Sequence, residues 1–163
     1  MTYLVRKVGM PKWLEGDVVR SPVSADAITG CLRTSQNALS LWKVEDEASL
    51  SDAVLALTSK FERLQRCDIV WFEKSELEDN GFDLENTPGE TVVDSLVDSH
   101  VDITELDYQK LGDVAEKVVD SFKHSKYKRF TNGDIKNLIQ DAVENDLLDP
   151  RKLHDTLREK CEV

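Results

Sequence analysis

Four consecutive large apolar residues, Ile69-Val70-Trp71-Phe72, constrain this chain more than any other feature. Successive side chains of a strand point to opposite faces. An unbroken apolar run therefore predicts a strand covered on both sides, at the centre of a sheet. The predicted strand spans 68–73. A second run rich in aliphatic and aromatic residues, 38–44, predicts another. Between them Leu50, Val54, Leu57, Phe61 and Leu64 share one helical stripe, and Ser49 with Asp52 has the spacing of a capping-box start. Strand, helix, strand over this length predicts a βαβ unit, with a parallel pair and a right-handed crossover.

Thr2–Val8 alternates and adds a strand. Residues 9–23, with two glycines and two prolines, read as loop. Residues 24–32 read as a short helix with Ser24 at its N-cap. The second half reads as helical. Thr87-Pro88 with Glu90 predicts a short helix carrying Val92, Val93, Leu96 and Val97. A brief strand is predicted at 100–105. Three helices follow: one on the stripe Tyr108, Leu111, Val114, Ala115, Val118, Val119 and Phe122, one opened by Thr131 and Asp134, and one by Asp149-Pro150. The expected class is α+β: an α/β-like N-terminal half with a βαβ unit and a small mixed sheet, and a helical C-terminal half. Residues 1–106 form the first portion, including the acidic segment 75–107. Residues 107–163 form the second, packed on the first as one compact unit. A chain of 163 residues buries roughly 70% of its unfolded surface and needs no disulfide or metal to fold.

Charge is concentrated in one place. Residues 75–109 hold 11 acidic side chains and no Lys or Arg, and the 21 acidic residues elsewhere equal the 21 Lys and Arg. This segment therefore carries the whole net charge of -11. Such a surface attracts a basic partner and repels nucleic acid. No apolar run approaches the ~20 residues of a membrane helix, and the N-terminus has no apolar signal core. Cys31, Cys67 and Cys161 are odd in number and lack metal-ligand spacing, as expected of reduced thiols in a cytoplasmic protein. No cofactor is expected.

Asp98, His100 and Asp102 alternate. On one strand they would share a face and offer a metal two carboxylates and an imidazole. Asp79, Asp83 and Glu90 fall at positions 1, 5 and 12 of a calcium loop. Leu84 occupies the position that needs glycine, so the match fails. Lys123, Lys126, Lys128 and Arg129 are interleaved with His124, Tyr127 and Phe130, a pattern able to track phosphates and stack bases. The helices that follow are acidic, so a basic helix C-terminus leading into a linker is the preferred reading. No phosphate loop, dinucleotide fingerprint or nucleophile elbow is present.

The favoured function is a cytosolic, non-enzymatic protein-binding module that sets its acidic surface against a basic partner. Its most concrete form is a bacterial immunity- or antitoxin-like inhibitor of a nucleic-acid-directed toxin. Glu76, Glu78, Asp79, Asp83, Glu85 and Glu90 are the expected contact residues, with Trp13, on the N-terminal loop, as an apolar anchor. A small metal-dependent or carboxylate-based enzyme is the second reading. A nucleic-acid-binding regulator acting through the C-terminal helices is the third.

Overall fold

Every residue from Cys67 to Phe72 is buried, and the strand they form, β5 (Cys67–Glu73), divides the molecule into two cores. Val70 and Phe72 enter one core, while Cys67, Ile69 and Trp71 enter the other. The alternation of a strand has thus been used on both faces, as the apolar run requires. The computed structural model describes all residues, 1–163.

In chain order the elements are β1 (Tyr3–Val8), a small hairpin of β2 (Leu14–Glu15) and β3 (Val18–Val19), α1 (Ala25–Cys31), β4 (Leu39–Val44), α2 (Leu50–Thr58), β5, α3 (Lys74–Asp79), β6 (Asp83–Asn86), β7 (His100–Thr104), α4 (Tyr108–Lys123), β8 (Tyr127–Phe130), α5 (Asn132–Glu144) and α6 (Asp155–Cys161). Six strands form one sheet in the order β6-β7-β4-β1-β5-β8. Every ladder in it is antiparallel. Helices α1, α3 and α4 cover one face, and α2, α5 and α6 cover the other. The class is α+β. No helix is long and apolar enough to cross a membrane.

The expected parallel pair is corrected by β1. Strands β4 and β5 do run in the same direction, with α2 between them in sequence. However, each pairs with β1, which lies between them. Leu4 and Val5 of β1 are fully buried, one in each core, so β1 has the doubly apolar character of a central strand. The sheet is accordingly antiparallel rather than mixed.

Local chemistry explains most boundaries. Ser24 Oγ accepts from the Ala27 amide at 3.1 Å and starts α1. Thr131 and Asp134 exchange hydrogen bonds in a full capping box at the start of α5. Ser49 does not cap α2. Asp46 accepts from the Ser49 amide at 2.9 Å and opens a 3-10 turn, 47–49, that leads into α2. The helix ends at Thr58, so Phe61 and Leu64 lie in the following loop, where Leu64 packs on the core and Phe61 lies beneath Lys7. The helix expected after Thr87-Pro88 is also corrected: 87–93 is irregular and a 3-10 turn covers 94–99.

Candidate functional site

The acidic segment runs from the central strand β5 to one end of the sheet, with β6 and β7 at that end and Glu76 of α3 beside Lys117, His124 and Lys126. Helix α3 leaves β5 directly and buries only Leu77. Gly81, at a φ of +80°, reverses the chain, a conformation that favours glycine. Phe82 then turns into the core and β6 pairs with β7 as the edge strand. Leu84 packs against the core under α4, whereas Asp83 and Glu85 are exposed on the opposite face. Because β6 is a strand, Asp79, Asp83 and Glu90 do not form a cation-binding loop.

Lysines from elsewhere in the chain answer part of this charge. Lys117 of α4 donates to Glu76 Oε1 at 2.8 Å. That bond, reinforced by the charges of Lys117, Lys126 and His124 and opposed by partial burial, holds the Glu76 carboxyl below its usual range. Lys74 lies 3.4 Å from Glu78, Lys110 lies 3.7 Å from Asp83, and Lys60 lies 3.2 Å from Glu90. Asp79 and Glu85 are exposed and have no ion pair within 4.0 Å. Glu85 also sits directly across the ladder from Asp102, a like charge.

The other sheet edge has the opposite sign. Lys123 closes α4 as a basic helix C-terminus, but a strand rather than a linker follows, and β8 pairs with β5 along Tyr127–Phe130. Lys126 donates to Glu73 at 3.1 Å, and Arg129 is bound to the buried carboxylate of Asp68. Lys128 lies 4.8 Å from the Phe130 ring centroid and has no ion pair.

Trp13 is not a surface anchor. The 3-10 turn at 10–12, closed by the Trp13 amide on Met10 O at 3.0 Å, turns its ring inward. There it is fully buried, with its ring 6.2 Å from that of Phe122.

The proposed metal set also fails. Strand β7 begins at His100, so Asp98 falls in the preceding 3-10 turn and does not share its face. No group of three His, Cys, Asp or Glu side chains is placed to hold an ion. His100 and Asp102 do come together, with His100 Nε2 3.9 Å from Asp102 Oδ1. Thr87 Oγ1 lies 2.9 Å from His100 Nδ1 and donates to Asp102 Oδ2 at 2.8 Å, while Ser40 Oγ donates to Asp102 Oδ1 at 3.2 Å. These side chains line a groove of about 480 Å³ beside Trp42 and Lys7. Both Asp102 oxygens and His100 Nδ1 are already engaged in hydrogen bonds, whereas Nε2 has only the 3.9 Å contact with Asp102. Alternation exposed the His100–Asp102 pair in the sequence. Ser40 and Thr87, 62 and 15 positions from Asp102, carried no signal there.

No protein-family model, curated protein or solved structure matches the chain.

Proposed function

We propose that this chain is a protein-binding module that engages a basic partner through the acidic end of its sheet. One observation carries the reading: Glu85 on the open edge strand β6, and Asp79 at the end of α3 four residues before that strand, are exposed and without an ion pair within 4.0 Å. An edge strand offers unpaired backbone groups to an incoming segment, and flanking carboxylates favour a basic one. Glu76, Glu78, Asp83 and Glu90 are held by single lysines. A partner's arginines can compete for these exposed pairs, since such pairs contribute little on their own. Trp13, being core, takes no part in the contact.

The most concrete form is a cytoplasmic, bacterial immunity- or antitoxin-like inhibitor that fills the basic cleft of a nucleic-acid-directed toxin. Carboxylates set against such a cleft speed association and compete with phosphate. The test is co-expression with the product of the adjacent gene, followed by size-exclusion chromatography at low and high salt. The expected result is a complex that dissociates as salt shortens the screening length and fails to form with the Asp79→Lys, Glu85→Lys double variant. A complex indifferent to both salt and charge reversal overturns the proposal.

A further inference from the structure

We propose that the two edges of the sheet recognise each other between copies, with β8 of one copy pairing antiparallel with β6 of the next. This inference rests on the reading of β6 as an interaction edge, and it names a second copy of the chain as one occupant.

The strand order dictates the direction. Five successive antiparallel ladders join six strands, so β6 and β8 run in opposite directions at the two ends. A second sheet set beside the first in the same orientation brings β8 and β6 together as antiparallel neighbours, and the alternation continues across the junction. Both edge strands have four residues, and each pairs with a single neighbour.

Charge then selects the junction. Strand β6 carries Asp83 and Glu85, and β8 carries Lys128 and Arg129. Pairing β8 with β8 sets Lys128 opposite Arg129, and pairing β6 with β6 crowds four carboxylates along one junction, so symmetric association is disfavoured. Only the head-to-tail pairing brings opposite signs together.

Register and face agree with this choice. Full overlap of the two strands pairs Lys128 with Glu85 and Arg129 with Leu84. Lys128 lies opposite Ile69 on β5, whose side chain enters the core beneath α2, α5 and α6. Glu85 lies opposite Asp102, on the same face as His100 and Trp42, and Trp42 belongs to that core. Lys128 and Glu85 therefore meet on one face of the continued sheet. They are also the two edge charges left over within the chain. Arg129 is paired with Asp68 and Asp83 with Lys110, whereas Glu85 and Lys128 have no ion pair. A lysine arriving beside Glu85 also relieves its opposition to Asp102.

Such a contact is heterologous and need not close, so mass should grow with concentration. The test is sedimentation equilibrium of the full chain at low and high salt. At low salt the weight-average mass should rise with concentration to a multiple of the 18.5 kDa monomer, and at high salt it should return to the monomer. Glu85→Lys alone and Lys128→Glu alone should each remain monomeric at low salt. An equimolar mixture of the two should recover the lost mass, because both of its junctions regain opposite charges. Recovery also demonstrates that both variants are folded. A wild type that stays monomeric throughout, single variants that associate as the wild type does, or a mixture that stays monomeric each overturn the proposal. A monomeric wild type that still binds a basic partner, and loses it on Glu85→Lys, refutes the head-to-tail contact alone. Salt-sensitive self-association with no basic foreign partner refutes the inhibitor reading alone.

Discussion

Arg129 closes a two-point hydrogen bond on Asp68, its Nε on Oδ1 at 2.6 Å and its Nη2 on Oδ2 at 3.0 Å. The pair ties the edge strand β8 to the central strand β5. Asp68 is 4% exposed and also accepts from the Met10 amide at 3.1 Å, which fixes the turn leading to Trp13. Burial alone would raise its pKa. The Arg129 and Met10 hydrogen bonds, with the charges of Arg129 and Arg66, outweigh burial and hold it below the usual range.

Removing one partner leaves a buried carboxylate with a single amide donor. Arg129→Ala should destabilise the fold by about 2–3 kcal/mol, less than a fully buried pair loses because Arg129 is partly exposed. The sign of the pH dependence follows from the depressed pKa. The contribution is intact above roughly pH 4, the unfolded value, and is lost as pH falls through the lower folded value. Urea titrations across the acid range should show a shallower acid-limb slope for Asp68→Asn than for the wild type. An unchanged slope would dissociate this pair from acid stability.

Trp13 supplies a second prediction. Its ring fills the core beside Phe122, but its buried Nε1–H has no acceptor. Truncation to Ala should cost about 3–5 kcal/mol through cavity formation. Phe keeps much of the ring and removes the unsatisfied donor, so Trp13→Phe should cost less than about 1.5 kcal/mol. Chemical denaturation of both variants checks the contrast. Equal losses would mean that the volume of the ring contributes nothing to this core.

The central strand and the amphipathic helices were legible because burial leaves a periodic signature. Ile69–Phe72 has apolar side chains for two faces, and Val114, Val118 and Phe122 recur at helical spacing. The edges were not legible for the same physical reason. Tyr127-Lys128-Arg129-Phe130 and Asp83-Leu84-Glu85-Asn86 are half exposed, so their sequences report solvent more than backbone. Strand β1 was recognised, but its place between β4 and β5 is a long-range choice that no local period encodes. The acidic composition of 75–109 was evident. Which acids remain unanswered depends on Lys60, Lys110 and Lys117, brought in by distant elements. Trp13 read as a loop residue because its neighbours are polar, and only the turn at 10–12 decides that it points inward.

Gly89 holds the irregular segment after β6 against the sheet, and its amide donates to Val97 O at 2.9 Å. A Cβ there would collide with the Trp42 ring and stand 2.7 Å from His100 Cβ. Gly89→Ala should therefore destabilise by about 1–3 kcal/mol, as overpacking does. Trp42 fluorescence should report a shift in the groove. A neutral substitution would mean that the segment lifts away without cost.

The three thiols provide a direct probe of the cores. Cys31, Cys67 and Cys161 are free and buried. Burial pushes the Cys67 thiol up to about 12, the charge of Lys7 only partly offsetting it, and burial also raises Cys161. Thiolate is the reactive form, so both groups should resist aromatic disulfide reagents at mildly alkaline pH. All three should react at once on unfolding in guanidinium. Rapid labelling of Cys67 in the native protein would contradict its placement beneath α2 and α5.

The last prediction concerns the proton between Thr87 and His100. Asp102, as a carboxylate, only accepts hydrogen bonds, and Thr87 has one hydroxyl hydrogen to give. Thr87 spends it on Asp102 Oδ2, so the 2.9 Å contact with His100 Nδ1 is a hydrogen bond only if the ring donates. Neutral His100 is then the Nδ1–H tautomer, with Nε2, 3.9 Å from Asp102 Oδ1, unprotonated. Nitrogen chemical shifts of the neutral imidazole should show a protonated Nδ1 and an unprotonated Nε2. Thr87→Val removes the bridge, strands His100 Nδ1 and leaves Asp102 with Ser40 as its one donor, and should cost about 1–3 kcal/mol. Thr87→Ser restores the hydroxyl and should recover most of that loss. An Nε2–H tautomer in the wild type, or a Thr87→Val variant as stable as the wild type, would break the assigned proton order.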